Sequence, residues 1–243
     1  MDIFFLGTCH GVSEGDRFFT SMLLRTEKGS YFIDLGAPMG KIIKQNNLSF
    51  DDVKAAFVTH MHGDHGMHIP EYVGWCNGWN QKTPRKLYLP EKDDIDAVLA
   101  WKYAMHEEET VAKGLCDMRF VTPGLFYDDG NVKVTSIPTK HLKRGKSFGY
   151  MFEGEGKKLL FTGDLRDEFD DYPEIALTEE FDAIICELTH FEVETALPKF
   201  NASKTKKIIF NHVREDKLAL LKSVDDKIKF EYVVTNDFDT VEI

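Results

Sequence analysis

Short apolar runs of strand length recur along the chain, separated by glycine, asparagine, aspartate and proline. They occupy residues 3–6, 21–24, 31–33, 55–58, 86–89, 118–121, 132–137, 148–152, 159–161, 183–186, 207–210 and 232–234. Runs of this length, rich in β-branched and aromatic side chains and bounded by turn residues, predict about a dozen strands. Helical spacing of apolar positions is clearest over 38–46, over 93–105, where aspartates crowd the first turn, and over 214–223. The predicted helices thus fall between groups of strands. No proline- or serine-rich linker, charge block or fixed repeat interrupts the pattern, which predicts a single domain over residues 1–243.

Composition narrows the function classes. With 243 residues and 42% hydrophobic content the chain can bury a full core. Thirty basic against 41 acidic side chains give a net charge of −11, which disfavours nonspecific binding to nucleic acid or to a membrane surface. Cys9, Cys76, Cys116 and Cys186 lie far apart with no CxxC pair, so they read as free thiols and argue against a sulfur-rich zinc site or a disulfide scaffold. The opening Met1-Asp2-Ile3-Phe4-Phe5-Leu6-Gly7 reads as a strand and lacks the basic start of a signal peptide. No window approaches the ~18 apolar residues of a membrane span, and a cytoplasmic location is expected.

Candidate chemistry collects at strand ends. Thr59-His60-Met61-His62-Gly63-Asp64-His65-Gly66 follows the run 55–58, Thr162-Gly163-Asp164 follows 159–161, and Asn211-His212 follows 207–210. Rigid strand ends can bring distant groups to one cleft. Three imidazoles and a carboxylate within six residues are costly in a core and hard to explain on a surface, but suit a bound zinc, manganese or iron ion. As a regular strand the segment would put His60, His62 and Asp64 on one face and His65 on the other. A turn at Gly63 and Gly66 would instead split the group into two pairs, one per ion. His141, Asp164 and His212 are the available further donors. His10, His68 and His106 read as ordinary hydrogen-bonded histidines, as does His190 by itself.

The HxHxDH pattern followed by His141, Asp164 and His212 resembles the metallo-β-lactamase superfamily. Phe5-Leu6-Gly7-Thr8 and Tyr31-Phe32-Ile33-Asp34-Leu35-Gly36 are similar to that superfamily's first strands. The resemblance implies an α/β fold, an αββα sandwich of two mixed sheets packed face to face with helices on the outer faces. It also implies two divalent metal ions, zinc first and manganese or iron as alternatives. His60, His62 and His141 would hold one ion, Asp64, His65 and His212 the other, and Asp164 would bridge them. Asp64 would then orient the nucleophile or collect its proton.

Further segments look most similar to the ribonuclease Z and cyclic-phosphodiesterase branch: Gly7-Thr8 followed by Arg17 and Ser21, His141 followed by Phe148-Gly149-Tyr150, Thr162-Gly163-Asp164-Leu165-Arg166, and Ile185-Cys186-Glu187-Leu188-Thr189-His190-Phe191. The chain departs from the tRNA-processing members in two ways. It shows no glycine- and proline-rich arm, and residues 192–206 contain no histidine where those members carry a His-Ser-Thr motif. Glu187 matches the glutamate that accompanies that histidine, and His190 is the candidate replacement as proton donor to the leaving oxygen. The expected substrate is therefore a small phosphodiester or cyclic nucleotide; an acidic chain without an arm is poorly built for tRNA. Lys140-His141-Leu142-Lys143-Arg144-Gly145-Lys146 reads either as a phosphate-receiving loop or as solvated surface. Trp75, Trp79, Trp101, Tyr72 and Tyr103 read either as walls of the cleft or, as is commoner at such spacing, as core, and are given no site role. No membrane partner is expected, and a homodimer is admitted because relatives dimerise. Alternative functions on the same fold are hydrolysis of a lactone, thioester or other carbonyl substrate, an iron-dependent redox role, against which His62 stands where a glutamate would be expected, and a non-catalytic binding module.

Overall fold

The computed structural model describes residues 1–78 and 83–243. In chain order these form β1 (Asp2–Gly7), β2 (Ser21–Thr26), β3 (Gly29–Ile33), α1 (Met39–Gln45), β4 (Val53–Phe57), α2 (Gly63–Gly66), α3 (Ile69–Asn77) and β5 (Arg85–Leu89). Then come α4 (Lys92–Ala104), α5 (Glu108–Ala112), β6 (Cys116–Phe120), β7 (Gly124–Asp128), β8 (Val132–Thr139), β9 (Ser147–Gly154), β10 (Lys157–Phe161) and α6 (Ile175–Thr178). The chain continues with β11 (Ala183–Leu188), α7 (Val193–Ala202), β12 (Lys207–Val213), α8 (Glu215–Ser223), β13 (Glu231–Val234) and β14 (Thr240–Glu242).

Two seven-stranded sheets result, in the orders β14-β1-β2-β3-β4-β5-β6 and β13-β12-β11-β10-β9-β8-β7. Successive strand side chains face opposite ways, and here both faces are covered. Ile3 and Phe5 of β1 turn into a core shared with Ile185 of β11 and Ile209 of β12. Phe4 and Leu6 turn outward into a second cluster with Ile42 of α1, Tyr72 and Val73 of α3, and Val98 of α4. Ile184 and Phe210 turn outward into a third, with Phe200 of α7 and Leu221 of α8. Burial on both faces explains why the inner strands such as β1, β3, β11 and β12 read as continuous apolar runs and not as alternating ones. The layers are helix, sheet, sheet, helix, the expected αββα sandwich.

Strand direction places the site. β3, β4, β5 and β6 are parallel. So are β10, β11, β12 and β13, and β8 shares their direction because β9 is antiparallel to both β8 and β10. Carboxyl ends of parallel strands are where open α/β sheets form ligand clefts. The two sheets meet there: the Phe148 amide donates to the Thr59 carbonyl at 3.0 Å and the Tyr150 hydroxyl to the Val58 carbonyl at 2.6 Å.

All twelve expected strand segments are strands. β7 and β14 are additional; both are edge strands, β14 only three residues long with Thr240 and Glu242 exposed, while β7 carries the short run Leu125-Phe126-Tyr127 with Leu125 exposed. The helices over 38–46, 93–105 and 214–223 are present within a residue at each end. α3 and α7 are additional, as are the short α2, α5 and α6. Pro70 sits in the first turn of α3, where it costs nothing, whereas Pro198 lies inside α7, and burial of Ala196, Leu197 and Phe200 outweighs that local penalty. Tyr72 lies in the core and Trp75 packs against it, whereas Trp101 and Tyr103 are exposed; Trp79 lies outside the described residues. The four cysteines are buried free thiols, and no helix among the described residues is long and apolar enough to cross a membrane.

Candidate metal centre

Nine sequence-selected residues arrive at this rim from both sheets. His60 and His62 follow β4, Asp64 and His65 lie in α2, His141 follows β8, Asp164 follows β10, Glu187 ends β11 with His190 just beyond, and His212 sits near the end of β12. His62 Nδ1 lies 3.0 Å from His60 Nε2 and 3.3 Å from His141 Nε2. Asp64 Oδ2 lies 3.1 Å from His212 Nε2 and 3.5 Å from His65 Nε2. Between the two groups, Asp164 Oδ2 is 3.3 Å from His65 Nε2, 3.7 Å from those of His141 and His212, and 3.8 Å from that of His60. Among the described residues, His60, His62 and His141 form one donor group and Asp64, His65 and His212 another.

The early cluster is divided in space, but not by its glycines. Neither Gly63 nor Gly66 has a positive φ. The chain changes from extended at His62, with φ −61° and ψ 150°, to helix at Gly63, so His60 and His62 face one group while Asp64 and His65 join the other. Left-handed backbone occurs instead at Asp34, φ 59°, and His212, φ 54°. The bulge between β11 and β12 accompanies the turn at His212, and such strained non-glycine residues concentrate at functional sites.

Hydrogen bonds on the far side of the rings decide which nitrogen is bare. The Asp34 carboxylate accepts the His65 Nδ1 proton at 2.8 Å, the Thr59 amide at 2.8 Å and the Thr59 hydroxyl at 3.0 Å. Thr59 Oγ1 in turn lies 3.1 Å from His60 Nδ1, and the Leu165 carbonyl 3.3 Å from His141 Nδ1. Protons held at these Nδ1 atoms leave the Nε2 lone pairs converging. His65 Nε2 is buried with no hydrogen-bond partner among the described residues. A lone pair aimed at other lone pairs inside a protein is unfavourable unless a metal cation or a proton is shared between them. Two donors bound to one tetrahedral zinc at ~2.1 Å lie about 3.4 Å apart, which matches the spacings above. The residues therefore fit divalent cations held by imidazole and carboxylate.

Charge shifts report the same crowding. Burial and neighbouring His65 hold the His60 pKa well below its ordinary value. Burial alone would lower that of His65, but Asp164 and Asp34 outweigh it and raise it well above. Burial opposes the charges of Asp64 and Asp164, yet the surrounding histidines keep both carboxyls below the usual range, with His212 the strongest. Burial of Asp34 raises its pKa, against the pull of His65 and Thr59.

Glu187 and His190 belong to the same rim. Glu187, 2% exposed, accepts the Leu165 amide at 2.6 Å on one oxygen, and the His190 amide at 3.0 Å and ring Nδ1 at 2.7 Å on the other. Burial works against the charged His190 ring, but Glu187 prevails and pushes its pKa up to about 9. The ring stacks 5.5 Å from His212 and tilts 4.6 Å from His141. In the basic run, Lys140 pairs with Asp170 at 2.7 Å, while Lys143, Arg144 and Lys146 are exposed and make no ion pair among the described residues. His10 accepts the Val12 amide, His68 pairs with Glu71, and neither joins the donor groups; nor does His106. Reading the sequence missed Asp34 as an orienting residue. Its signal was faint: a carboxylate ending an otherwise apolar strand.

A family model described as Anti-Pycsar protein Apyc1 matches residues 1–230. The chain belongs to the Anti-Pycsar protein Apyc1 family. Curated relatives include the ribonuclease Z of Prochlorococcus marinus strain NATL1A, 28% identical over 161 residues that make up 62% of this chain and 48% of that protein. The Apyc1-family chain thus spans about half the length of the curated relatives it matches. Among solved structures, the short form of human tRNase Z superposes with a TM-score of 0.76 at 20% identity, covering 100% of this chain and 99% of that one. The metallo-β-lactamase fold protein YhfI from Bacillus subtilis superposes with a TM-score of 0.78 at 14% identity, covering 100% and 98%. These likenesses establish the metallo-β-lactamase fold for this member of the Apyc1 family.

Proposed function

We propose that this chain is a phosphodiesterase in which His60, His62 and His141 hold one divalent cation, Asp64, His65 and His212 a second, and Asp164 lies between. The observation that carries the reading is the convergence of seven donor atoms, with Asp164 Oδ2 within 3.3–3.8 Å of five imidazole nitrogens, those of His60, His65, His141, His212 and His190. Zinc suits this nitrogen-rich set best, with manganese or iron as alternatives. Bound there, the cations supply a nucleophile at neutral pH and polarise the oxygen of the bond under attack.

The chain's own residues do the rest. Asp64, beside His65 and His212, orients the attacking water or takes its proton. Glu187 fixes the His190 ring through Nδ1, leaving the other nitrogen to give a proton to the leaving oxygen. Lys143, Arg144 and Lys146, exposed beside His141, favour an anionic substrate over a neutral carbonyl compound. A net charge of −11 favours a small phosphodiester, cyclic nucleotides included, over tRNA.

The test is a panel assayed on metal-loaded protein: bis(p-nitrophenyl) phosphate, 2′,3′-cyclic nucleotides, a precursor tRNA and model esters. Turnover of the small phosphodiesters is expected, abolished in Asp64→Ala with the fold retained. His190→Ala should cost about 10²–10⁴-fold on substrates with alkoxide leaving groups and far less on nitrophenyl ones, which leave without a proton. Cleavage of esters alone, or of the tRNA alone, would overturn the assignment.

A further inference from the structure

We propose that Asp171 is a positioning residue that sets His141 against Asp164. Residues 167–171 are four acids around Phe169, and three of those acids, Asp167, Glu168 and Asp170, are exposed. Asp171 is only 9% exposed and makes no ion pair among the described residues. Its carboxylate receives two backbone amides from different loops: Lys140 at 2.6 Å on Oδ2 and Arg166 at 3.0 Å on Oδ1. Lys140 immediately precedes His141, and Arg166 stands two residues after Asp164. One rigid, acceptor-only group therefore spans the loop leaving β8 and the loop leaving β10.

The span matters because little else holds the first loop. Beyond the Thr139–Ser147 pair that closes β8 against β9, the loop's distal side is tied by the Lys146 amide to Glu91 at 2.8 Å. Its apex carries exposed Lys143 and Arg144 and the left-handed Gly145, φ 84°. The Asp164 loop is anchored near that residue by the Leu165 amide on Glu187 and the Arg166 amide on Asp171, and further along by Lys199 Nζ on the Phe169 carbonyl at 2.8 Å. Among the described residues, Asp171 alone accepts amides from both loops, and the Leu165 carbonyl that orients the His141 ring lies between its two contacts. Groups that orient metal-binding residues from behind typically govern affinity by 10–100-fold when lost.

This inference rests on the reading of His141 and Asp164 as metal-binding residues, and the experiment separates the two. Wild type, Asp171→Asn, Asp171→Ala and Asp170→Asn are stripped with chelator and titrated with zinc against a chromophoric competitor. Cobalt absorption spectra and thermal unfolding of the metal-free forms are recorded alongside. Asparagine keeps the shape but offers one acceptor oxygen, and its NH2 opposes the second amide. Asp171→Asn should therefore weaken one binding step by about 10–100-fold and alter the cobalt spectrum. Asp170→Asn, which weakens exposed ion pairs to the Lys140 and Arg166 side chains but leaves both backbone amides on Asp171, should leave both unchanged. Metal binding by Asp171→Asn indistinguishable from wild type, or a loss confined to metal-free stability, overturns the role of Asp171 alone. Absence of metal binding by wild type overturns this inference and the proposed centre together. If Asp171→Ala does not fold, the asparagine variant still decides.

Discussion

Asp34→Asn should detune the centre without unfolding it. The asparagine side chain keeps the two bonds from Thr59, whose amide and hydroxyl need only an oxygen acceptor. It also tolerates the left-handed backbone at φ 59°, where alanine would be strained. What changes is the contact with His65 Nδ1, 2.8 Å from Oδ2. An amide NH2 there favours an unprotonated Nδ1, which moves the ring proton to Nε2, the atom that faces Asp64 and Asp164. Restoring the bare Nε2 then sets N–H against N–H in a fully buried site, a lost hydrogen bond of about 1–3 kcal/mol. At ~1.4 kcal/mol per tenfold, affinity for the ion at His65 should fall about 5- to 150-fold. Zinc competition titration measures this, and thermal unfolding in chelator checks that the metal-free fold persists. Wild-type affinity for both ions in Asp34→Asn would refute the tautomer reasoning.

Two further outcomes follow from the geometry. Gly163→Ala places a Cβ 2.4 Å from the Phe148 carbonyl oxygen at a residue with φ 62°; the backbone penalty alone is about 1–2 kcal/mol, and the displaced Asp164 should weaken metal binding beyond what the lower melting temperature explains. Asp129 accepts the hydroxyls of Tyr31 at 2.6 Å and Tyr127 at 2.9 Å, joining the two sheets. Burial opposes its charge, but Tyr31 and the backbone amides outweigh it and hold its pKa below the usual carboxylate value. A lowered folded-state pKa means that its stabilisation is present above the ordinary carboxylate range and lost as pH falls through the folded value. Asp129→Asn should cost about 1 kcal/mol near neutral pH, since the residue is exposed, and flatten the acid limb of a stability–pH profile; an unchanged limb contradicts this.

The sequence by itself determined the strands and the clustering of metal-type donors, while the layering followed from the family resemblance. Strands buried on both faces need apolar side chains at consecutive positions, so most of the twelve were visible as continuous runs. Three imidazoles and a carboxylate in one short segment have few uses besides a metal. What only the tertiary structure decided are the contacts that aim those groups. Asp34 meets His65 across 31 positions, Asp171 meets the amide before His141 across 31, and His212 meets Asp64 across 148. None of these leaves a local pattern, because a carboxylate that orients a ring has the same spacing and composition as one that solvates a loop. The same holds for α7, whose interior Pro198 disfavours helix locally and whose buried face restores it. The difference is physical: periodicity records which side chains leave water, whereas the direction of a lone pair is set by partners that meet only when both sheets are stacked.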